Sequence, residues 1–265
     1  MSNILDTIIA HKRREVAQAK KQKPLAILMK ETGHRQAPRS MRTAIRNGSG
    51  LIAEFKRASP SKGLIRQQAD PAAIAASYEK AGASAVSVLT DRSFFLAEES
   101  DLTTVVNSVS LPVLRKDFII DTYQIAEARA QGADCILLIA AALSKSRLAE
   151  LLQAAIDLGL EALVEVHRPE ELDKLCGRET LIGVNNRNLD NFTVDIQVSL
   201  ALAPMLGDTV VKVTESGLDS TTHLQELVRA GFSGFLVGES LMRSADPGAA
   251  CAAMVTAIKQ AKNAG

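Results

Sequence analysis

Glu54 and Lys56 stand two residues apart in Leu51-Ile-Ala-Glu-Phe-Lys-Arg-Ala-Ser-Pro-Ser-Lys-Gly63, a short apolar run that ends in a Ser-, Pro- and Gly-rich loop. Residues two apart on a strand share a face, so a carboxylate and an ammonium point the same way, with Phe55 opposite. Opposite charges on an inward face are costly unless they are paired or used. Taken alone, the pair reads equally well as a structural ion pair and as part of a site. The same pattern then recurs: Leu114-Arg-Lys116, Val164-Glu165, Val184-Asn185 and Val213-Thr-Glu215 each end an apolar run with a polar side chain. Lysine and glutamate can do general acid–base work when burial or neighbours tune them, and a lysine could instead form a Schiff base with a ketone. Ser216, Gly217 and the run Val237-Gly238-Glu239-Ser240 add small residues that would let backbone N–H groups approach a phosphate, with Ser59 and Lys56 completing the cradle. Ordinary turn glycines are the alternative, and Glu239 would have to point away from a dianion. His11, His34, His167 and His223 lie on unrelated elements, so no metal cluster is expected; His167 is expected to cap the loop before Pro169. No nucleophile elbow, Walker loop or dinucleotide fingerprint occurs.

These groups need elements to hold them. Strands are predicted at Leu51–Phe55, Ala85–Leu89, Val113–Arg115, Cys135–Ile139, Ala162–Val166, Leu181–Val184, Val210–Val213 and Gly234–Val237. Helices are predicted at Pro71–Ala81, Glu98–Val106, Thr122–Gln131, Lys145–Leu158, Pro169–Leu175, Ile196–Ala203, Ser220–Ala230 and Pro247–Lys262. Asp70, Ser144 and Asp246 are N-cap candidates, and Gly82, Gly132, Gly159 and Gly231 suit C-caps. Eight β-then-α units imply parallel strands with right-handed crossovers. They favour a single α/β domain over 1–265, a closed (β/α)8 barrel, rather than a doubly wound sheet. Barrel sites lie at the C-terminal strand ends, which is where the polar residues fall.

Residues 1–50 form a helical extension. Asn3–Lys30 reads as helix, broken at Pro24, with Ile4, Leu5, Ile8, Ile9, Val16 and Ala19 as an apolar stripe. His11, Lys12, Arg13, Arg14, Lys20, Lys21 and Lys23 are assigned to the other face, either simply solvated or attracting an anionic substrate. Met41–Ile45 could form one helical turn. The apolar stripe is expected to pack near the barrel mouth.

Composition excludes several classes of partner. The 265 residues carry a net charge of +1, so no strong field points to nucleic acid or an anionic membrane, and 3% aromatics without Trp give no base-stacking platform. No apolar run is long enough to span a bilayer, and the N-terminus lacks the pattern of a signal peptide. Cys135, Cys176 and Cys251 are odd in number and far apart, which suits a reducing cytoplasm. A monomer is expected, a weak dimer being the alternative, with no fused second enzyme after the eighth helix.

Ile52-Ala-Glu-Phe-Lys-Arg-Ala-Ser-Pro-Ser-Lys-Gly63, Pro112-Val-Leu-Arg-Lys-Asp-Phe118 and Ile182-Gly-Val-Asn-Asn-Arg-Asn-Leu189 together resemble one family closely: indole-3-glycerol phosphate synthase. Leu163-Val-Glu-Val-His167, Thr214-Glu-Ser-Gly217 and Phe235-Leu-Val-Gly-Glu-Ser-Leu-Met-Arg243 extend the likeness over nearly the whole chain. The resemblance implies a phosphorylated substrate, 1-(2-carboxyphenylamino)-1-deoxyribulose 5-phosphate, converted without a cofactor to indole-3-glycerol phosphate, carbon dioxide and water. It implies Lys116 as the general acid at the ketone oxygen and Glu165 as an acid–base residue in the dehydration. Lys56 would contact the carboxylate or phosphate, and Glu54 and Asn185 would position the anilino group and hydroxyls. Glu215 and Ser216 would line the sugar end, with Gly217, Gly238, the Glu239 backbone and Ser59 around phosphate. Arg187 and Phe118 would shape the anthranilate side, with Leu137 and either Phe94 or Phe95 as apolar wall. A lysine beside another cation has a lowered pKa, so Lys116 is expected to release its proton readily. Two other readings stand beside this one: a Schiff-base aldolase-type barrel, and a non-catalytic ligand-binding barrel.

Overall fold

The computed structural model describes residues 4–218 and 220–264, apart from the Thr221 side chain. Eight parallel strands close into a barrel in sequence order: β1 (Leu51–Phe55), β2 (Ala85–Leu89), β3 (Val113–Lys116), β4 (Cys135–Ile139), β5 (Glu161–Val166), β6 (Leu181–Asn185), β7 (Val211–Glu215) and β8 (Gly234–Val237). β1 closes the ring on β8 through Leu51–Phe235, Ile52–Leu236 and Ala53–Val237. The strands are buried on both faces, which is why they read as continuous apolar runs rather than as alternating ones.

The connectors begin and end where their caps dictate. Asp70 accepts the N–H groups of Ala72 and Ala73, Ser144 that of Arg147 and Asp246 that of Ala249. Gly82, Gly132, Gly159 and Gly231 take φ values of 90°, 89°, 73° and 91°, the left-handed region that glycine enters without a Cβ clash. Two expected helices are corrected. The second helix starts at Asp101 rather than Glu98, because the Asp101 carboxylate accepts the Glu98 N–H and pairs with Arg57. Pro169–Lys174 is a 3-10 helix, its six residues being a short link between β5 and β6.

One apolar cluster fills the barrel, with Ile52, Leu114, Leu163, Leu181 and Val213 at its centre; a larger one, including Phe55, lies between strands and helices. Helix α1 (Ile4–Gln22) is followed, after the break at Pro24, by α2 (Leu25–Thr32), and α3 spans Met41–Asn47. The expected helix start at Asn3 lies outside the described residues. Met41 and Ile45 of α3 plug the barrel beneath the strand starts, where Ser40 Oγ and the Arg42 N–H donate to Glu161 of β5. α1 lies at the opposite end. Leu5, Ile8, Ile9 and Val16 are buried, as the stripe requires, but so is Lys12, which had been assigned to the solvated face. Its Nζ sits 2.9 Å from both Asp91, after β2, and Asp117, after β3. Spacing explains the correction: Lys12 is four residues from Ile8 and four from Val16, so it belongs to the stripe.

Candidate active site

Side chains pointing inward at the C-terminal ends of the strands meet at one rim. Glu54 of β1 lies 2.6 Å from Lys56 Nζ, so the pair in the first motif is both an ion pair and part of the rim. Lys116, at the end of β3, places Nζ 3.4 Å from Glu215, 3.7 Å from Glu165 and 3.9 Å from Glu54, reaching carboxylates on β7, β5 and β1. Asn185 of β6 donates from Nδ2 to Glu165 Oε2 at 3.2 Å and accepts from Ser216 Oγ at 2.9 Å. Phe55 faces the outer layer, as alternation demands, with the Arg57 guanidinium over its ring.

The backbone makes room for these contacts. β6 carries Gly183 at the inward position beside Glu165. A Cβ there would lie 2.5 Å from Glu215 Oε1 and 3.3 Å from a Leu163 methyl. Gly238 does the same for Glu54, whose carboxylate and Cβ would collide with any side chain at 238. Ser216 and Gly217 both take positive φ, 71° and 73°, a turn that brings the loop after β7 back over Asn185.

The charges are strongly coupled. Burial pulls the Lys116 pKa down, but the fields of Glu215, Glu165 and Glu54 outweigh it and raise the pKa well above the usual lysine range. The expectation of a lowered lysine pKa is therefore corrected: Lys116 is ringed by anions and fully protonated near neutrality. Burial pushes Glu54 up, yet Lys56 and then Lys116 hold it below the usual carboxylate range. Glu165 is likewise raised by burial and lowered overall by Lys116 and His167. Glu215 goes the other way. Burial raises it, Lys116 opposes, and Glu165 and Glu54 add repulsion, leaving it pushed up to about 8. Neither Glu215 carboxyl oxygen receives a hydrogen bond, which suits a group that keeps its own proton next to Glu165. With Glu215 protonated, two carboxylates balance two ammonium groups.

Above this cluster lies a cavity of about 630 Å³, a size suited to a small organic ligand. Every residue expected at the site lines it: Glu54, Lys56, Ser59, Lys116, Phe118, Leu137, Glu165, Asn185, Arg187, Glu215, Ser216, Gly217, Gly238 and Glu239. Phe95 lines it too, stacked at a tilt 6.2 Å from Phe118, whereas Phe94 packs edge-on against His11 of α1. Glu239 turns toward cations: Arg243 Nε at 3.2 Å, Arg187 at 3.8 Å and Lys62 at 3.9 Å. Ile4, Leu5 and Ile8 of α1 and Phe192 also form walls. The apolar stripe signalled that α1 packs nearby, but only the helix's position over the rim makes these residues part of the cavity. His167 does not act as a loop cap. Its ring is buried between Glu165 and Glu171, and it is the Glu171 carboxylate that accepts the His167 N–H. Among the described residues, no group of three or more His, Cys, Asp or Glu side chains is placed to hold a metal ion.

Residues 5–254 match the family model described as indole-3-glycerol phosphate synthase. Proteins of that name from Bacteroides thetaiotaomicron, Laribacter hongkongensis and Bordetella pertussis are 46%, 47% and 47% identical to the chain. The alignments cover 94%, 95% and 96% of this chain and 96%, 98% and 100% of the relatives. Among solved structures, a thiamine phosphate pyrophosphorylase from Pyrococcus furiosus superposes with a TM-score of 0.60 at 14% identity, covering 84% of this chain and 99% of that one. A structure titled native KDPGal gives 0.57 at 16%, covering 81% and 94%. At such identities the two structures speak for the barrel alone. The rim charges and the match along residues 5–254 lead to one assignment: the chain belongs to the indole-3-glycerol phosphate synthase family.

Proposed function

We propose that the chain catalyses ring closure, decarboxylation and dehydration of 1-(2-carboxyphenylamino)-1-deoxyribulose 5-phosphate to indole-3-glycerol phosphate, in tryptophan biosynthesis. The observation that carries the reading is the placement of Lys116 Nζ within 4 Å of carboxylates from three other strands, on the floor of a cavity with an aromatic wall. In this reading the Lys116 ammonium gives a proton to the ketone oxygen as the aryl carbon attacks the carbonyl carbon. The carboxylate then leaves as carbon dioxide, and its bonding electrons restore the ring. The new hydroxyl takes a proton from Lys56 and leaves as water, and Glu165 takes the proton lost from the neighbouring carbon as the indole double bond forms. Lys56 binds a substrate anion, Glu54 and Asn185 orient the anilino and hydroxyl groups, and Glu215 and Ser216 line the sugar end. Ser59, Gly217, Gly238 and the Glu239 backbone surround the phosphate; Arg187, Phe118, Phe95 and Leu137 hold the aryl ring. A Schiff base would need a neutral amine, and the carboxyl groups around Lys116 favour the ammonium.

The chain acts as one barrel domain with residues 1–50 as its extension, as a monomer in the cytoplasm. Its cysteines are unpaired and no helix among the described residues is long and apolar enough to cross a membrane, which supports that placement. The test is turnover of the anilino-ribulose phosphate followed by indole fluorescence, against a background free of Trp. Lys116→Ala and Glu165→Gln should each lose at least about a hundredfold in kcat while still binding substrate. An unchanged kcat in Lys116→Ala would remove the lysine from the mechanism. A lysine adduct trapped by borohydride with a ketose phosphate would favour aldolase chemistry instead.

A further inference from the structure

The two oxygens of Glu165 have different surroundings. Oε2 faces Lys116 and Asn185, at 3.7 and 3.2 Å. Oε1 faces His167 Nε2 at 3.4 Å. On the other side of the ring, Nδ1 lies 3.5 Å from Glu171 Oε2; both ring nitrogens are buried and neither makes a hydrogen bond, so each meets its carboxylate as a charge contact. Glu171 is itself fixed, because its Oε2 accepts the His167 backbone N–H at 2.7 Å. The imidazole is thus clamped between a carboxylate of the catalytic rim and one of the 3-10 connector.

His167 and Glu171 line a second cavity, of about 520 Å³, adjoining the one above Lys116, with Leu5, Asn185, Arg187 and Leu189 bordering both. Arg168 and Asp190 on its border are 58% and 49% exposed, while both nitrogens of the His167 ring are buried. The charged groups around the imidazole are Glu165 and, further off, Glu215 from the barrel, and Glu171 from the connector. Asp6 of α1, Arg168, Lys174, Arg187, Asp190 and Asp195 line the cavity beyond.

We propose that His167 is a positioning residue for Glu165: set between it and Glu171, it holds Oε1 turned away from the reacting centre, and its positive charge helps to keep Glu165 ionised. The inference rests on the reading of Glu165 as an acid–base group. As an imidazolium the ring supplies the cation that Oε1 lacks, and as a neutral ring it supplies only packing. Burial works against the imidazolium, but Glu171 and Glu165 outweigh it and raise its pKa above the ordinary histidine value, which favours the charged ring. Glu165, in turn, is lowered in part by His167. Removing the ring should therefore raise the pKa of Glu165 and move the acidic limb of the rate profile upward, with little effect where His167 is already neutral.

The experiment has two arms. In the first, kcat/KM is followed from pH 4 to 9 for wild type and His167→Asn. The acidic limb should move up by about one pH unit, so that the loss approaches tenfold below the wild-type limb and closes as pH rises past the shifted one. A loss uniform across the range, or an unmoved limb, would overturn the proposal, since a purely structural role predicts one or the other. The second arm needs no turnover: imidazole resonances are titrated by NMR in wild type, Glu165→Gln and Glu171→Gln, with His167→Asn identifying the signal. The His167 midpoint should fall in both glutamine variants, and an identical midpoint in all three proteins would overturn the clamp. A coupled midpoint in a protein that makes no indole product would support the clamp and overturn the reaction reading instead.

Discussion

Replacing Lys12 by Met tests how α1 is tied to the rim. The Lys12 ammonium is fully buried, 2.9 Å from Asp91 and Asp117 and 3.0 Å from the half-exposed Glu15. Asp117 would keep Arg115 at 3.0 Å and the Thr90 hydroxyl at 2.9 Å. Asp91 would keep only the Phe94 N–H at 2.8 Å on one oxygen, while its other oxygen, fully buried, would face no donor. Breaking a buried pair from one side costs about 3–5 kcal/mol. The partners retained by Asp117 put this case near the lower end, and at about 2–4 °C per kcal/mol a loss of about 3 kcal/mol lowers Tm by about 6–12 °C. The loss is capped by the free energy that docks α1, because its release rehydrates both carboxylates. In that event KM should rise, since Ile4, Leu5 and Ile8 wall the cavity.

The pH dependence follows from the two shifts. Burial raises the Asp117 pKa, but Lys12 and Arg115 depress it overall, so its contribution is complete above the ordinary aspartate value of about 4 and is lost as pH falls through the depressed one. Lys12 is raised overall by Asp117 and Asp91 against the pull of burial, so its contribution is complete below about 10.5 and is lost as pH rises through the higher folded value. The gap between wild type and Lys12→Met should be flat from about pH 5 to about pH 10 and close in acid. Thermal melts across pH, read beside KM, measure it, and Asp91→Asn in the Lys12→Met background should restore part of the stability. A Tm within 1 °C of wild type at pH 7, together with an unchanged KM, would refute the reasoning.

Two further outcomes are expected. Gly183→Ala places a methyl 2.5 Å from Glu215 Oε1, so kcat should fall about ten- to a hundredfold for a stability loss of about 1–3 kcal/mol; an unaltered kcat would show that Glu215 is not held where its neighbours place it. Glu215 is pushed up to about 8, so its forced ionisation costs stability as pH rises from the ordinary carboxylate range through that value. Glu215→Gln should therefore melt higher than wild type at pH 9, with an advantage that shrinks toward pH 5; a gap independent of pH would count against a raised carboxyl.

Much of the architecture was legible before any coordinates. The strand runs, the N-caps at Asp70, Ser144 and Asp246 and the left-handed glycines are local features, set by hydrogen bonding and sterics within a few residues. The choice of Pro169–Lys174 as 3-10 rather than α was not local, because it depends on the distance between two strands of a closed barrel. The site residues could be named because barrel closure brings strand C-termini together whatever the details. Lys12 was mis-assigned although its spacing placed it on the buried stripe. Its charge points to solvent and its periodicity to the interior, and the two aspartates that make its burial affordable lie about 80 and 105 positions further along the chain.

The sequence determined by itself that eight β-then-α units would form one barrel and that Glu54, Lys56, Lys116, Glu165, Asn185 and Glu215 would share its rim. Tertiary structure alone decided the electrostatics. Lys56 pairs with Glu54, so the cation expected to depress Lys116 is offset, and the surrounding acidic side chains raise its pKa instead. The same convergence pushes Glu215 up while Glu165 is held down, and it wedges His167 between Glu165 and Glu171. Coulomb energies depend on separations of a few ångströms between groups far apart in the chain, and in a low-dielectric interior those separations fix the direction of every shift.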